Sequence, residues 1–513
     1  MALKYQHDRI QVTNQIYHQR GDSIMPQGLL PYKYEEEKND CGMTALAGLP
    51  LYFDLASALG LADSIAAHMH VKVQGWTDEQ MILSLVLLNL AGGDSVGDVN
   101  ILEKDEGFSR VLRGIELKGL ARKDRRAGER RWRKERRRSF PSPSPVFRYL
   151  EAFHNAEEEK MREKGKAFIP HPNEHLADLM KVHKDFICSA VKHAPSREAT
   201  LDMDATLIET QKRDALFSYK GYKAYQPLNA WWAEEELILH TEFRDGNVPA
   251  GHEQLRVFKE ALAQLPPGVE KVYLRSDTAG YQHELLAYCE LAQDRRFGRI
   301  EFAIGANVTP EFRKAVAEAE EWMPLQEGRE WAEVLFVPNA ISHSKKDPEY
   351  RYLAIREPLR QDVLPGMEGQ LSFPAMTMET KRYKIFGVVT NRDMEGGELI
   401  RWHYLRCGKS EEAHSIMKED LAGGRLPSGK FGENAAWWWI MILAFNLNSS
   451  MKRLVLRESW AAKRMKAIRF SLINLPGRIM THARELIIRL PRNHPSLTLL
   501  LDARQRIMEL ASG

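Results

Sequence analysis

Cysteine is scarce and scattered. Cys41, Cys188, Cys289 and Cys407 are the only four, each about a hundred or more positions from the next. No CxxC pair and no Cys/His cluster occurs, so a zinc site of ordinary spacing is not expected. Nothing calls for disulfides, which fits a reducing, cytoplasmic compartment. Long hydrophobic runs are also missing. The longest, MILSLVLLNLA and AAWWWIMILAFNL, fall short of the roughly 18 residues that suggest a membrane span. They read as buried core helices, and no membrane partner is expected. The opening MALKYQHDRIQV has no apolar segment of the secretory kind. No internal repeat of fixed period is visible. Net charge is small as well, +3 over 513 residues, but that average hides a block. Between Lys118 and Arg138 twelve Lys/Arg stand against three acids, a net +9, which leaves −6 for the rest. A local basic block on a mildly acidic body suggests an element that faces a polyanion.

Hydrophobic content of 43% and charged content of 28% are those of a globular chain long enough for more than one domain. Residues 1–117 end in a helical pattern. WTDEQMILSLVLLNLAGG offers Thr77 or Asp78 as N-cap, acids in the first turn and Gly92-Gly93 as a stop. Residues 118–146 carry the basic block and then SFPSPSP, whose alternating prolines predict an extended linker. From 147 to 322 a helix gives way to strand-like runs, REATLDMDATLIET and NAWWAEEELILHTEF, and then to alternating helix and strand. That order predicts a mixed α/β sheet with helices on its faces. Residues 323–400 are β-rich and read as an insertion. Residues 401–454 follow, with LIRWHYLRC as a strand, SEEAHSIMKEDLAGG as a helix and GENAAWWWIMILAFNL as a long apolar one. Residues 455–513 form a basic C-terminal region.

Four acidic residues, at three places in the chain, draw attention. Asp202 and Asp204 lie in LDMDATLIET, where residues two apart on a strand share a face. Two acids on a buried strand are costly unless they bind a cation, and a solvent-facing edge strand is about as common a reason for them. Asp277 ends the short apolar run KVYLRSD, beside Arg275; a turn residue at a strand end explains such an aspartate equally well. Glu411 opens the SEEAHSIMKED segment, with Lys418 seven residues, or two helical turns, further on and His414 and Ser415 between them. Acids favour the first turn of any helix, so Glu411 alone says little. An acid for a metal, followed by a cation for phosphate oxygens, is nevertheless a coherent set for phosphodiester chemistry.

Together DMDATLIET, YLRSDTAGYQ and YLRCGKSEEAHSIMKEDLAGGRLPSGKFGENAAWWWIMILAFNL resemble the DDE transposases of bacterial insertion sequences, in particular the group numbered thirteen-eighty. The resemblance covers about 140 to 480, and the three motifs in order are what make it specific. It implies a ribonuclease H-like catalytic domain (147–322 and 401–454) interrupted by the β-rich insertion, with a helical N-terminal DNA-binding domain. It implies catalytic, metal-binding roles for Asp204, Asp277 and Glu411, 73 and 134 residues apart. Asp204 is preferred to Asp202 because Asp204-Ala205-Thr206 matches the family pattern. Tyr404 and Arg406 stand one position off the family spacing, which leaves Glu412 as a rival to Glu411.

The resemblance further implies two Mg²⁺ ions, with Mn²⁺ able to substitute, and DNA as partner, both the inverted-repeat ends of the element and its target, bound by a homodimer. Tyr404, Arg406 and Lys418 would contact the DNA near the metals. Arg130, Arg131, Arg133 and Lys134 would contact it along the basic block, and Lys220-Gly221-Tyr222-Lys223 could add backbone contacts. Two other readings share the triad: a ribonuclease H-like nuclease without strand transfer, and a non-catalytic DNA-binding derivative.

Overall fold

The computed structural model describes residues 41–118, 120–135, 138–163, 165–338, 348–359, 375–378, 381–482 and 485–512. Contacts divide the chain at Cys41, and everything from Gly42 onward forms one unit.

Ten strands make its main sheet: β1 (Glu198–Ala205), β2 (Leu228–Trp232), β3 (Leu237–Glu242), β4 (Lys271–Ser276), β5 (Glu301–Ala306), β6 (Met323–Pro324), β7 (Glu330–Val334), β8 (Arg351–Pro358), β9 (Ala375–Met378) and β10 (Lys381–Thr390). Their order is β6-β7-β8-β10-β5-β4-β1-β2-β3, with β9 on β10. β1, β2 and β3 are an antiparallel meander, while β4 and β5 add in parallel on the other side of β1. This is the ribonuclease H-like arrangement expected from the sequence. The β-rich segment does not form a body apart from it. β10 pairs antiparallel with β5, so β6 to β10 continue the same sheet past its fifth strand.

The helices that matter to the site are α1 (Asp78–Ala91), α2 (Glu174–Lys192), α3 (Gly396–Ser415) and α4 (Phe431–Ser450). α1 starts at Thr77, whose side chain accepts from the Gln80 amide in a capping box, and stops at Gly92 in the left-handed region (φ 102°). All twenty residues of α4 are buried. It packs against α1, α2 and β3, so the helices before residue 117 share one core with the sheet. Its apolar body carries polar hooks. Asn446 accepts from the amide of Ile238 and donates to its carbonyl, both at 2.9 Å, which satisfies the outer edge of β3 as a further strand would.

Two local expectations need correction. LIRWHYLRC is not a strand; it lies inside α3, which begins at Gly396 and is capped by Glu395. Its buried residues, Leu399, Ile400, His403, Arg406, Ser410 and Ala413, follow helical spacing. SFPSPSP is not an extended linker throughout. Pro143 opens the helix Pro143–Glu151, a position where the missing amide hydrogen is no loss. The basic block is helical too, over Arg122–Glu135. At the C-terminus, strand Gly477–His482 pairs with Glu485–Arg489 on one side and with Met43–Thr44 on the other. The last helix, Leu497–Ser512, packs on the helix Pro50–Ala58. No single helix among the described residues is long and apolar enough to cross a membrane.

Candidate active site

Parallel pairing of β1 with β4 sets Asp202 opposite Arg275 and Met203 opposite Ser276. β4 ends at Ser276, and Asp277 follows it as the cap of the next turn, near enough to Asp204 for the two charges to interact. Because residues two apart share a face, Asp204 lies directly beyond Asp202, and the pair Asp204/Asp277 beyond the pair Asp202/Arg275. The inner pair is sealed. Arg275 donates to both oxygens of Asp202, at 2.6 and 2.8 Å, and both side chains are buried. Asp202 is therefore a structural partner of Arg275.

The outer pair is of like charge. Burial pushes the Asp204 carboxyl up to about 6; Arg406 opposes that rise, and the negative charge of Asp277 adds to it. Asp277 accepts from the Ala279 amide at 2.9 Å, which fixes the turn Thr278–Gly280. Two glycines let that turn sit close to the sheet: a Cβ at Gly280 would come within 2.7 Å of Ser276, and one at Gly305 within 3.1 Å of the Thr278 amide.

α3 crosses over these strand ends and is fastened to them along one face. Arg275 donates to the Trp402 carbonyl at 2.7 Å, and His403 donates to the Ser276 carbonyl at 3.0 Å. Arg406 donates to Asp204 at 3.3 Å. Two turns further, His414 accepts from Asn229 at 3.3 Å, and Asn229 is the residue paired with Asp204 across β1 and β2. Asn229 is itself held by Thr241 (2.7 Å), which accepts from Trp438 of α4 (2.9 Å). Burial, helped by nearby cations, lowers His403 to about 4 and His414 to about 3, so both rings are neutral at physiological pH. Lys418 follows in a π-helical turn and donates to the Leu207 carbonyl at 3.4 Å. Burial lowers its pKa, and Lys220 nearby lowers it further.

The proposed site residues thus divide. Asp204, Asp277, Arg406 and Lys418 gather at the carboxyl ends of β1 and β4. Tyr404 does not join them; it is half-buried towards β7 and β8, with Arg329 over its ring at 5.7 Å. Glu411 is exposed and lies two helical turns after Tyr404, on the same flank of α3. Glu412 faces the other way, into a small cavity with Trp231, Glu236, Lys409 and Lys452. Arg130 is exposed on the basic helix, and the side chains of Arg131, Arg133 and Lys134 lie outside the described residues. Sequence reasoning missed Asn229 and His403. Nothing local marks either one, and only the strand pairing and the path of α3 give them partners.

Among the described residues no three or more His, Cys, Asp and Glu side chains converge as a metal site. Asp204 and Asp277 fit such a site as far as two donors go: hard carboxylate oxygens, partly desolvated and mutually repulsive, are what a divalent cation of the Mg²⁺ type takes.

Residues 38–512 match the family model described as Transposase DDE domain group 1. The chain belongs to that family of DDE transposases, whose domains generally use divalent metals. Among solved structures it is similar to a piggyBac transposase, determined by cryo-electron microscopy as a synaptic complex with hairpin DNA. Identity there is 10%, over 84% of this chain and 80% of that one, with a TM-score of 0.43. No curated protein sequence matches the chain.

Proposed function

We propose that this protein is the transposase of an insertion sequence of the thirteen-eighty group: it binds the element's inverted-repeat ends, cuts them and joins them to target DNA. The observation that supports this reading is the parallel pairing of β1 with β4, past whose ends Asp204 and Asp277 interact as like charges, with Arg406 on Asp204. Asp204 and Asp277 would hold two divalent ions, Mg²⁺ with Mn²⁺ able to substitute; Glu411, exposed on the neighbouring flank of α3 and not gathered with them in this structure, would have to reach in to supply the third carboxylate. Glu411 is favoured over Glu412 because Glu412 points into the cavity on the Glu236 flank, away from Asp277. Bound there, the ions would activate the attacking oxygen and stabilise the leaving oxygen of an in-line displacement.

The chain's own residues do the positioning. Asp202 and Arg275 lock the two strand ends together beneath the acids. Arg406, which donates to Asp204, is a guanidinium that would also suit a phosphate oxygen of DNA lying at the two aspartates. Lys418, half-desolvated beside Leu207, offers a second cation to the same backbone. A homodimer would bring one site to each end of the element.

The test is strand transfer in vitro. The purified protein, a DNA fragment carrying both ends of the element and a supercoiled target plasmid should give joined products in Mg²⁺ and none in EDTA. Cleavage without joining would instead mark a nuclease, and binding without cleavage a non-catalytic derivative.

A further inference from the structure

Past Asp204 the pair of β1 and β2 does not end. Thr206 donates to the Pro227 carbonyl, and Ile208–Glu209 then pairs with Ala224 and Tyr225. A third short strand, Leu216–Phe217, pairs with Lys223 and Ala224. The result is a small ribbon that continues past the strand end at Asp204, its base packed through the buried Ile208, Ala224 and Tyr225 and its tip exposed.

Its tip is tightly built. The Ser218 amide and hydroxyl both donate to the Tyr222 carbonyl, at 2.8 and 2.9 Å, the Gly221 amide donates to Ser218, and Gly221 takes the left-handed conformation (φ 84°). Such a loop can present side chains in fixed positions. It presents Phe217, 63% exposed, and Tyr219, 76% exposed. They lie two residues apart, on either side of the buried Ser218. Lys220 stands next to the Tyr219 ring, 5.9 Å from its centre, and close enough to Lys418 for the two charges to interact. Lys418 in turn contacts the chain three residues beyond Asp204.

Two exposed aromatic rings, flanked by lysines and joined to the aspartates by one continuous ribbon, have the chemistry of a single-strand nucleic-acid platform. Every base has a π-face for a ring, and the phosphates meet the cations. We propose that the ribbon tip, through Phe217, Tyr219 and Lys220, stacks on unpaired bases of the DNA strand whose phosphate lies at Asp204 and Asp277. This deepens the transposase reading and rests on it for the position of the strand. Lys223 is not part of the site, since its ammonium is taken by the Arg213 carbonyl at 2.6 Å.

The experiment uses the full chain and two fluorescent probes of the same sequence, one a blunt duplex and one a duplex with a short single-stranded tail containing 2-aminopurine. The native protein should bind the tailed probe about tenfold more tightly than the blunt one, the lower range for stacking on one ring, and should quench the 2-aminopurine. Replacing both rings (Phe217→Ala with Tyr219→Ala) should remove the preference and the quenching while affinity for the blunt duplex is unchanged. Tyr219→Trp should retain both. A preference that survives in the double variant, or none in the native protein, overturns the proposal. Equal weakening on both probes also overturns it, because the rings would then serve duplex binding or folding. Cleavage of the element ends in Mg²⁺ is measured separately. If it fails while the preference holds, the stacking site stands and the transposase reading falls; the reverse result leaves the transposase reading alone.

Discussion

At the scale of single residues the acids have opposite fates that the sequence alone leaves open. Asp202 and Asp204 share a strand face, and nothing in LDMDATLIET says which is sealed. The neighbour on β4 decides: Arg275 meets Asp202, while Asp204, one step past the last pair, faces the charge of Asp277. Asp202→Ala strands the buried Arg275 charge. It should lower stability by about 3–5 kcal/mol, the usual effect of removing one member of a buried pair, read as a drop in the urea midpoint. A second prediction concerns His183 of α2. Its ring is fully buried, takes a hydrogen bond from Asn446, and burial lowers it to about 3. An unfolded histidine titrates near 6.5. The stability that depends on its neutral form is therefore fully present above pH 6.5 and is lost as pH falls towards about 3. His183→Gln should give a shallower fall in thermal midpoint between pH 6.5 and 4 than the native protein, and an equal slope would refute the assignment. The resemblance, not the spacing alone, singled out Asp204, Asp277 and Lys418, and the structure brings Asp204 near Asp277. Asn229 was not legible in the sequence, because its role exists only through its partner strand.

At the scale of elements α3 departs furthest from expectation. LIRWHYLRC holds Ile400, Trp402 and Tyr404 at alternate positions, a pattern that favours a strand. Its helical period is carried by buried polar groups, His403, Arg406 and Ser410, which a hydrophobic pattern does not count. Tertiary partners fix it instead: Arg275 on the Trp402 carbonyl, Asn229 on His414. α4 was legible as a core helix because every turn is apolar. The neighbours that it touches were not. Gly432 at its start approaches the backbone so closely that a Cβ there would lie 2.3 Å from the Phe153 carbonyl oxygen. Gly432→Ala should therefore destabilise by about 1–3 kcal/mol through overpacking, although alanine is the better helix former. A thermal midpoint at or above that of the native protein would show that the neighbouring backbone can relax. By contrast, the Thr77 cap and the Gly92 stop of α1 match expectation, since capping chemistry is local.

At the scale of the whole molecule the sheet is one object where the sequence suggests a domain with an insertion. The long gap from Asp277 to Glu411 is filled by strands that extend the sheet beyond β5, so the chain returns as α3 over the same strand ends. Long-range pairing of this kind leaves no local signature. The basic helix Arg122–Glu135 stands as a separate electrostatic element. Replacing Arg130, Arg131, Arg133 and Lys134 with alanine should weaken binding to element ends and to random duplex alike. The slope of log affinity against log salt should also flatten, by roughly one unit for each phosphate that is no longer neutralised. An unchanged slope in mobility shifts would make the block a solubilising segment only. The central claim is that Asp204 and Asp277, joined by Glu411, form the metal-dependent cutting site. The most direct measurement is the rate of Mg²⁺-dependent cleavage of element ends by Asp204→Asn, Asp277→Asn, Glu411→Gln and Glu412→Gln side by side, with DNA binding checked for each. The first three should bind DNA and fail to cut, while Glu412→Gln cuts at close to the native rate. Cutting by Asp277→Asn, or loss of cutting in Glu412→Gln but not in Glu411→Gln, would contradict the account.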